Sequence, residues 1–84
     1  MMRAKVRVSG IVRYPDDGSP VTQETVTFTA VSKSAGYPAD GSDEDNTYAR
    51  YTPSGEIRLA IQNPALIGKF AIDDRFYVDF SPAE

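Results

Sequence analysis

The side chains best suited to chemistry crowd one stretch in mid-chain, DGSDEDN, residues 40–46. Carboxylates and an Asn amide are hard oxygen ligands of the kind Ca²⁺ takes. Their spacing departs from the D-x-[DN]-x-[DN]-G loop of the EF-hand, and no Glu follows at the distance where a bidentate ligand closes such a loop. Asp40, Asp43, Glu44, Asp45 and Asn46 therefore read as a solvated acidic loop, and no metal ligand is assigned. Asp73, Asp74 and Asp79 are the remaining material for paired-carboxylate catalysis. Asp73-Asp74 reads as a polar turn, where Asp bonds nearby backbone. Asp79 falls on the outer face of a strand, within reach of an Arg across it. The 84 residues include no His and no Cys. That removes the commonest general base, the Ser/Cys–His pairs, disulfides and thiolate metal sites together. No catalytic or cofactor-binding residue is assigned, no cofactor is expected, and the expectation is a protein that is not an enzyme.

A third constellation is basic and aromatic. Tyr14, Tyr48, Tyr51 and Tyr77 offer stacking surfaces, and Arg3, Lys5, Arg7, Arg13, Arg50, Arg58 and Arg75 offer charge. Together they suit an OB-like module in which single-stranded bases stack over a basic groove. The net charge of −3 and pI of about 4.8 run against a grip on phosphate backbones. So small a protein also needs its aromatics for a core. Nucleic-acid binding is accordingly the alternative reading. The charge is segregated: Arg3, Lys5, Arg7 and Arg13 precede the first acid, and the acids gather in mid-chain. Two opposite patches of this kind could dock electrostatically onto a partner or a neighbouring copy.

The elements that would position these groups follow a period of two, the mark of half-buried strands. In RAKVRVSGIVRY, Val6, Val8, Val12 and Tyr14 share one face, while Arg3, Lys5, Arg7, Ser9 and Arg13 share the other, with Ile11 as the exception. Gly10 interrupts the inward set and predicts a bulge or bend. PDDGSP supplies a turn, with Pro15 presetting φ and Gly18 free to go left-handed. VTQETVTFTAVS is β-branched and reads as a second strand, with Val26, Phe28 and Ala30 inward and Thr25, Thr27 and Thr29 outward. Residues 33–46 carry no period and predict a long, flexible acidic loop, with Tyr37-Pro38 its only bulky element. TYARYTPSGEIRLAIQ predicts a hairpin turning at Pro53 to Gly55, with Ile57, Leu59 and Ile61 toward the core. Asn63 and Pro64 are an N-cap and a first helical position, so one short helical turn is expected near residues 64–69. A last strand carries Phe76, Val78 and Phe80 on one face.

These elements sum to one β domain over residues 1–84: an all-β, small five-stranded antiparallel barrel or rolled sheet, with an open sandwich as the alternative. Burying each of Phe76, Val78 and Phe80 is worth roughly 1.5–3 kcal/mol, so the terminal strand is expected to seal the core. The basic start MMRAKVRVSG lacks the apolar run of a signal peptide, and no stretch approaches the roughly 20 apolar residues that cross a bilayer. A soluble intracellular product is expected, with no membrane partner.

EDN (Glu44 to Asn46), TPSGEI (Thr52 to Ile57), NPA (Asn63 to Ala65), Phe70 and FYVDFSPAE (Phe76 to Glu84), taken in order, resemble a family of small tailed-phage and prophage proteins. That family shows an acidic-Asn loop, a Thr-Pro-Ser/Tyr-Gly hairpin, an Asn-Pro-Ala helical turn, then Phe, a Pro-Gly turn and a Tyr-Tyr-Val-Asp-Phe-Thr-Pro-Ala strand. The likeness covers about residues 44 to 84. It departs where Ile72-Asp73-Asp74 stands for the Pro-Gly turn and Ser81 for Thr. The resemblance implies a phage origin and no catalytic residues. The function expected is a virion-associated or assembly accessory protein, present in the host cytoplasm during assembly and in the virion. It would act through contacts with a phage structural protein or with itself.

Overall fold

Alternation in the N-terminal stretch does produce a strand, β1, Met2–Tyr14. β2 is Gln23–Ala30, β3 is Glu56–Ile61 and β4 is Arg75–Phe80. In this computed structural model, which describes residues 2–33 and 36–83, the strands form one antiparallel sheet in the order β3-β2-β1-β4. Ser34 and Ala35 of the expected acidic loop lie outside the described residues. The fold is all-β, as expected. Among the described residues four strands are present rather than five, and the sheet does not close into a barrel. Its edges are β3 and β4, kept apart by β2 and β1 between them. Four strands, two of them only six residues long, are too few to wrap around a filled interior.

One face of the sheet is apolar. Val6 and Val8 of β1 stand beside Val26 and Phe28 of β2, and with Ala4 and Ile61 they form the buried core. Ile11, Ile57, Ile67, Phe70 and Val78 pack against it. The other face carries Thr25, Thr27 and Thr29 between Arg7, Gly10 and Val12 on one side and Glu56, Arg58 and Ala60 on the other, strand against strand.

The bulge expected at Gly10 is present: Val8 pairs with Phe28, and Gly10 with Thr27. One extra residue, Ser9, is absorbed there, its hydroxyl bonded to Thr29 Oγ1 at 2.5 Å and donating to the Thr27 carbonyl. The extra residue exchanges the faces of everything after it. Ile11 therefore joins Val26 on the apolar side, and Val12 and Tyr14 turn outward to about two-thirds exposure. This corrects the expectation that Val12 and Tyr14 continue the inward row and that Arg13 lies outside it.

The expected hairpin over residues 47–62 does not form. β3 pairs with β2, and residues 47–55 are irregular. Thr47 to Thr52 show no apolar alternation that would bury one side, and other contacts claim them. The Thr47 amide donates to the Arg3 carbonyl and the Ala30 amide to the Gly55 carbonyl. The helical turn expected near residues 64–69 is likewise absent as a helix: no helix occurs among the described residues. The Asn63 side chain does accept from the Ala65 amide, as an N-cap would. Among the described residues only two local backbone bonds follow, from Leu66 to the Asn63 carbonyl and from Lys69 to the Leu66 carbonyl, so Pro64 to Gly68 remains a run of turns. Gly68, at φ 81°, ends it.

The connection from β3 to β4 lies across the apolar face. Phe70 meets Phe28 edge-on at 5.6 Å between ring centres and Phe76 at 5.5 Å. The Asp73 amide reaches the Val8 carbonyl, and Asp73-Asp74 forms the expected polar turn into β4, with Asp73 at φ 75°. β4 itself pairs only with β1. Its row of Phe76, Val78 and Phe80 lies on the apolar side, but Phe76 and Phe80 remain about two-fifths exposed. The terminal strand is thus an edge of an open sheet, not the wall that seals a barrel.

Candidate functional site

The acidic loop is built inward rather than toward a ligand. Asn46 is fully buried. Its Oδ1 accepts from the Lys5 amide at 2.8 Å, and its Nδ2 donates to the Val31 carbonyl at 2.8 Å and to Asp43 Oδ2 at 3.2 Å. β2 ends opposite Val6, so the lower part of β1, paired with β4 on one side, has no strand on the other among the described residues. Asn46 and Thr47 take that place, with Thr47 bonding both backbone groups of Arg3.

Asp43 holds Asn46 in turn, accepting from the amides of Asp45 and Asn46. Burial pushes the Asp43 carboxyl up, but the hydrogen bonds from Asn46 and the Asp45 amide outweigh it and leave it below the usual carboxylate range. The other loop acids point to different partners. Asp40 accepts from the Ser42 amide, Glu44 pairs with Lys33 at 3.1 Å, and Asp45 accepts from Tyr77 and faces Lys5 at 3.5 Å. No three acidic side chains converge on a point that could hold a metal ion, among the described residues.

Asp73, Asp74 and Asp79 are not brought together either. Asp79 forms a two-pronged pair with Arg3, directly across β1 and β4, at 2.7 and 3.2 Å. The hydrogen bond from that guanidinium holds the carboxyl below its usual range. Asp73 pairs with Arg7 at 3.1 Å, and Asp74 bonds the Ala71 amide. Each acid has a local structural partner.

The stacking and charge needed for a single-strand groove are also dispersed. Tyr77 lies on the polar face beneath the Arg3 guanidinium, 4.7 Å from its ring centre. Tyr48 borders the apolar face, Tyr51 packs edge-on against Tyr37 in the loop, and Tyr14 stands at the far end of β1. Arg3, Lys5, Arg7, Arg13, Lys33 and Arg58 are in ion pairs, six of the nine basic side chains. The basic N-terminal row and the mid-chain acids meet within the molecule, at Lys5 and Asp45, and partly neutralise each other.

What the described residues leave uncovered is the lower part of the apolar face, together with its β3 edge at Leu59. Met2, Leu59, Phe76 and Phe80, with Tyr48 beside them, are 38–51% exposed. Two apolar hollows lie there, of about 180 and 200 Å³. Val6 and Ile57 line both; Met2, Ala4 and Phe80 belong to the first, and Phe70, Phe76 and Val78 to the second. Exposed side chains of this size grouped on one face mark an interaction surface far better than the same residues scattered singly.

Glu24 is a structural residue that charge and residue type alone do not single out. It is fully buried at the upper end of that face, accepting from Arg13 Nε at 2.8 Å and from the Gly68 amide at 3.0 Å. The carboxylate thereby ties the 63–69 turns to the sheet. Its parity with Val26 and Phe28 is the signal that marks it in the sequence.

Comparison with protein-family models, with curated proteins and with solved structures returned no match. No helix of the described residues is long and apolar enough to cross a membrane.

Proposed function

We propose that this chain is a non-enzymatic phage or prophage protein, virion-associated or an accessory of assembly, that works by protein–protein contact. The observation that supports this most is the uncovered lower part of the apolar face. A sheet with one hydrophobic side must bury it against another layer, and here the chain's own connection from β3 to β4 reaches only part of it. The phage assignment is supported by the motif series from Glu44 to the C-terminal strand. The non-catalytic reading is supported by the local structural partner that each candidate acid already has. The site of action is then the host cytoplasm during assembly, and afterwards the particle.

Purified particles and assembly intermediates from a host expressing an affinity-labelled copy test this. The protein should be found in one of them and should cross-link to a capsid, connector or tail component. Its absence from both would overturn the reading. Binding to single-stranded DNA in low salt, falling steeply as salt is added, would replace it with the OB-like alternative. Six ion-paired basic residues argue for no such binding.

A further inference from the structure

Resting on the contact-protein reading, we infer that the open part of the apolar face is covered by a second copy of this chain, packed face to face as a two-sheet dimer. The size of the deficit points to this. A compact chain of 9.2 kDa exposes about 4,900 Å², whereas this one exposes 5849 Å². The excess of about 900 Å² is close to the roughly 800 Å² that each partner contributes to a standard interface. The shape agrees. The radius of gyration is 15.4 Å, against about 12 Å for a compact domain of this length, and the smallest extent of 16 Å is that of a sheet without a second layer. Two sheets stacked about 10 Å apart would restore the usual architecture.

The chemistry of the face suits a copy of itself. A chain carrying net charge −3 repels its own copy, so a self-contact must be free of unpaired charge at its centre. The two hollows and the wall between them, Val6 and Ile57, meet that condition, with Glu56 at the margin the one ionisable carboxylate. A face with no charge pattern gives a distinct partner no electrostatic address. Exposed side chains (Leu59, Phe76, Phe80) border the recesses on the same patch, so a two-fold contact can set each copy's side chains against the other's hollows.

Sedimentation of the full chain tests the dimer. From ~1 to ~100 μM, the range in which a micromolar complex forms, the mass should rise to about twice 9.2 kDa, and the melting temperature should climb with concentration. Leu59→Asp, on the apolar side, should raise the dissociation constant at least ~100-fold, since it buries an unpaired charge. Ala60→Asp, the adjacent exposed residue on the polar face, should leave the dimer intact. A monomer throughout the range, with a melting temperature independent of concentration, would overturn the inference whether or not either variant folds. So would a dimer that Ala60→Asp breaks and Leu59→Asp does not. A monomer that still cross-links to a particle component ends the dimer but not the contact-protein reading, and a dimer found in no particle does the reverse.

Discussion

Asn46, held by Asp43, stands in for a missing strand on the β2 side of the lower part of β1, and the cost of losing either follows from which groups they satisfy. Asn46→Ala strands the Lys5 amide and the Val31 carbonyl, both bonded to it in the native chain. A buried polar group left unmade costs about 1–3 kcal/mol, so we predict a loss of about 2–4 kcal/mol in urea unfolding. Asn46→Asp keeps the acceptor for Lys5, loses the donor to Val31 and sets a second carboxylate against Asp43. Restoration of full stability by that variant would contradict the role given to the amide. Asp43 also predicts a pH dependence. Its folded value lies below the ordinary one because hydrogen bonds outweigh burial. The stability it adds is therefore complete above about pH 4, the ordinary Asp value, and is lost as pH falls from there through the folded value. Asp43→Asn should flatten that part of the stability–pH curve. Gly41 is constrained for another reason: at φ 73°, a Cβ placed on it would lie 2.5 Å from the Tyr51 ring. Gly41→Ala should release Tyr51, detectable as loss of its ring contact with Tyr37 by NMR.

At the level of the strands, the period of two is enough by itself to place Val6, Val8, Val26, Phe28 and Ile61 in the core and the Thr row outside it. Local turn chemistry is legible as well, at PDDGSP, at Gly18 and at Asp73-Asp74. The consequence of the bulge is not. Gly10 marks an irregularity, but whether one residue is absorbed there depends on pairing with β2, and that decides which of Ile11 and Val12 is inside. A pair of variants measures it: Ile11→Asp should cost about 2 kcal/mol or more by placing a charge among apolar groups, and Val12→Asp less than about 0.5 kcal/mol. The reverse order in denaturant midpoints would restore the continuous inward row. Pairing partners are also illegible where they are long-range. Glu56 to Ile61 read as the return of a local hairpin, yet their ladder runs to β2, some thirty residues earlier. The candidate carboxylates are legible in part: Asp73-Asp74 reads as a turn and Asp79 as facing an Arg across its strand, but that this Arg is Arg3 emerges only when β1 and β4 pair. That pair is nearly half exposed, and Asp79→Asn should leave the denaturant midpoint almost unchanged.

For the molecule as a whole, the apolar rows specify what must be buried and leave open what does the burying. A barrel, a sandwich and an open sheet awaiting a partner satisfy the same alternation. The strand order decides among them by leaving β3 and β4 as separate edges, while the 62–74 connection covers the upper part of the face as far as Phe76. Phe76 and Phe80 then serve the surface of one chain and, in the assembly proposed, the interior of two. An isotope-filtered NMR experiment on an equal mixture of labelled and unlabelled chains reads this directly. Intermolecular contacts should link the side chains of Val6, Ile57, Leu59, Phe76 and Phe80. Intermolecular contacts confined to the Thr27 and Tyr77 face, or none at all at concentrations where the chain is fully associated or millimolar, would contradict the account.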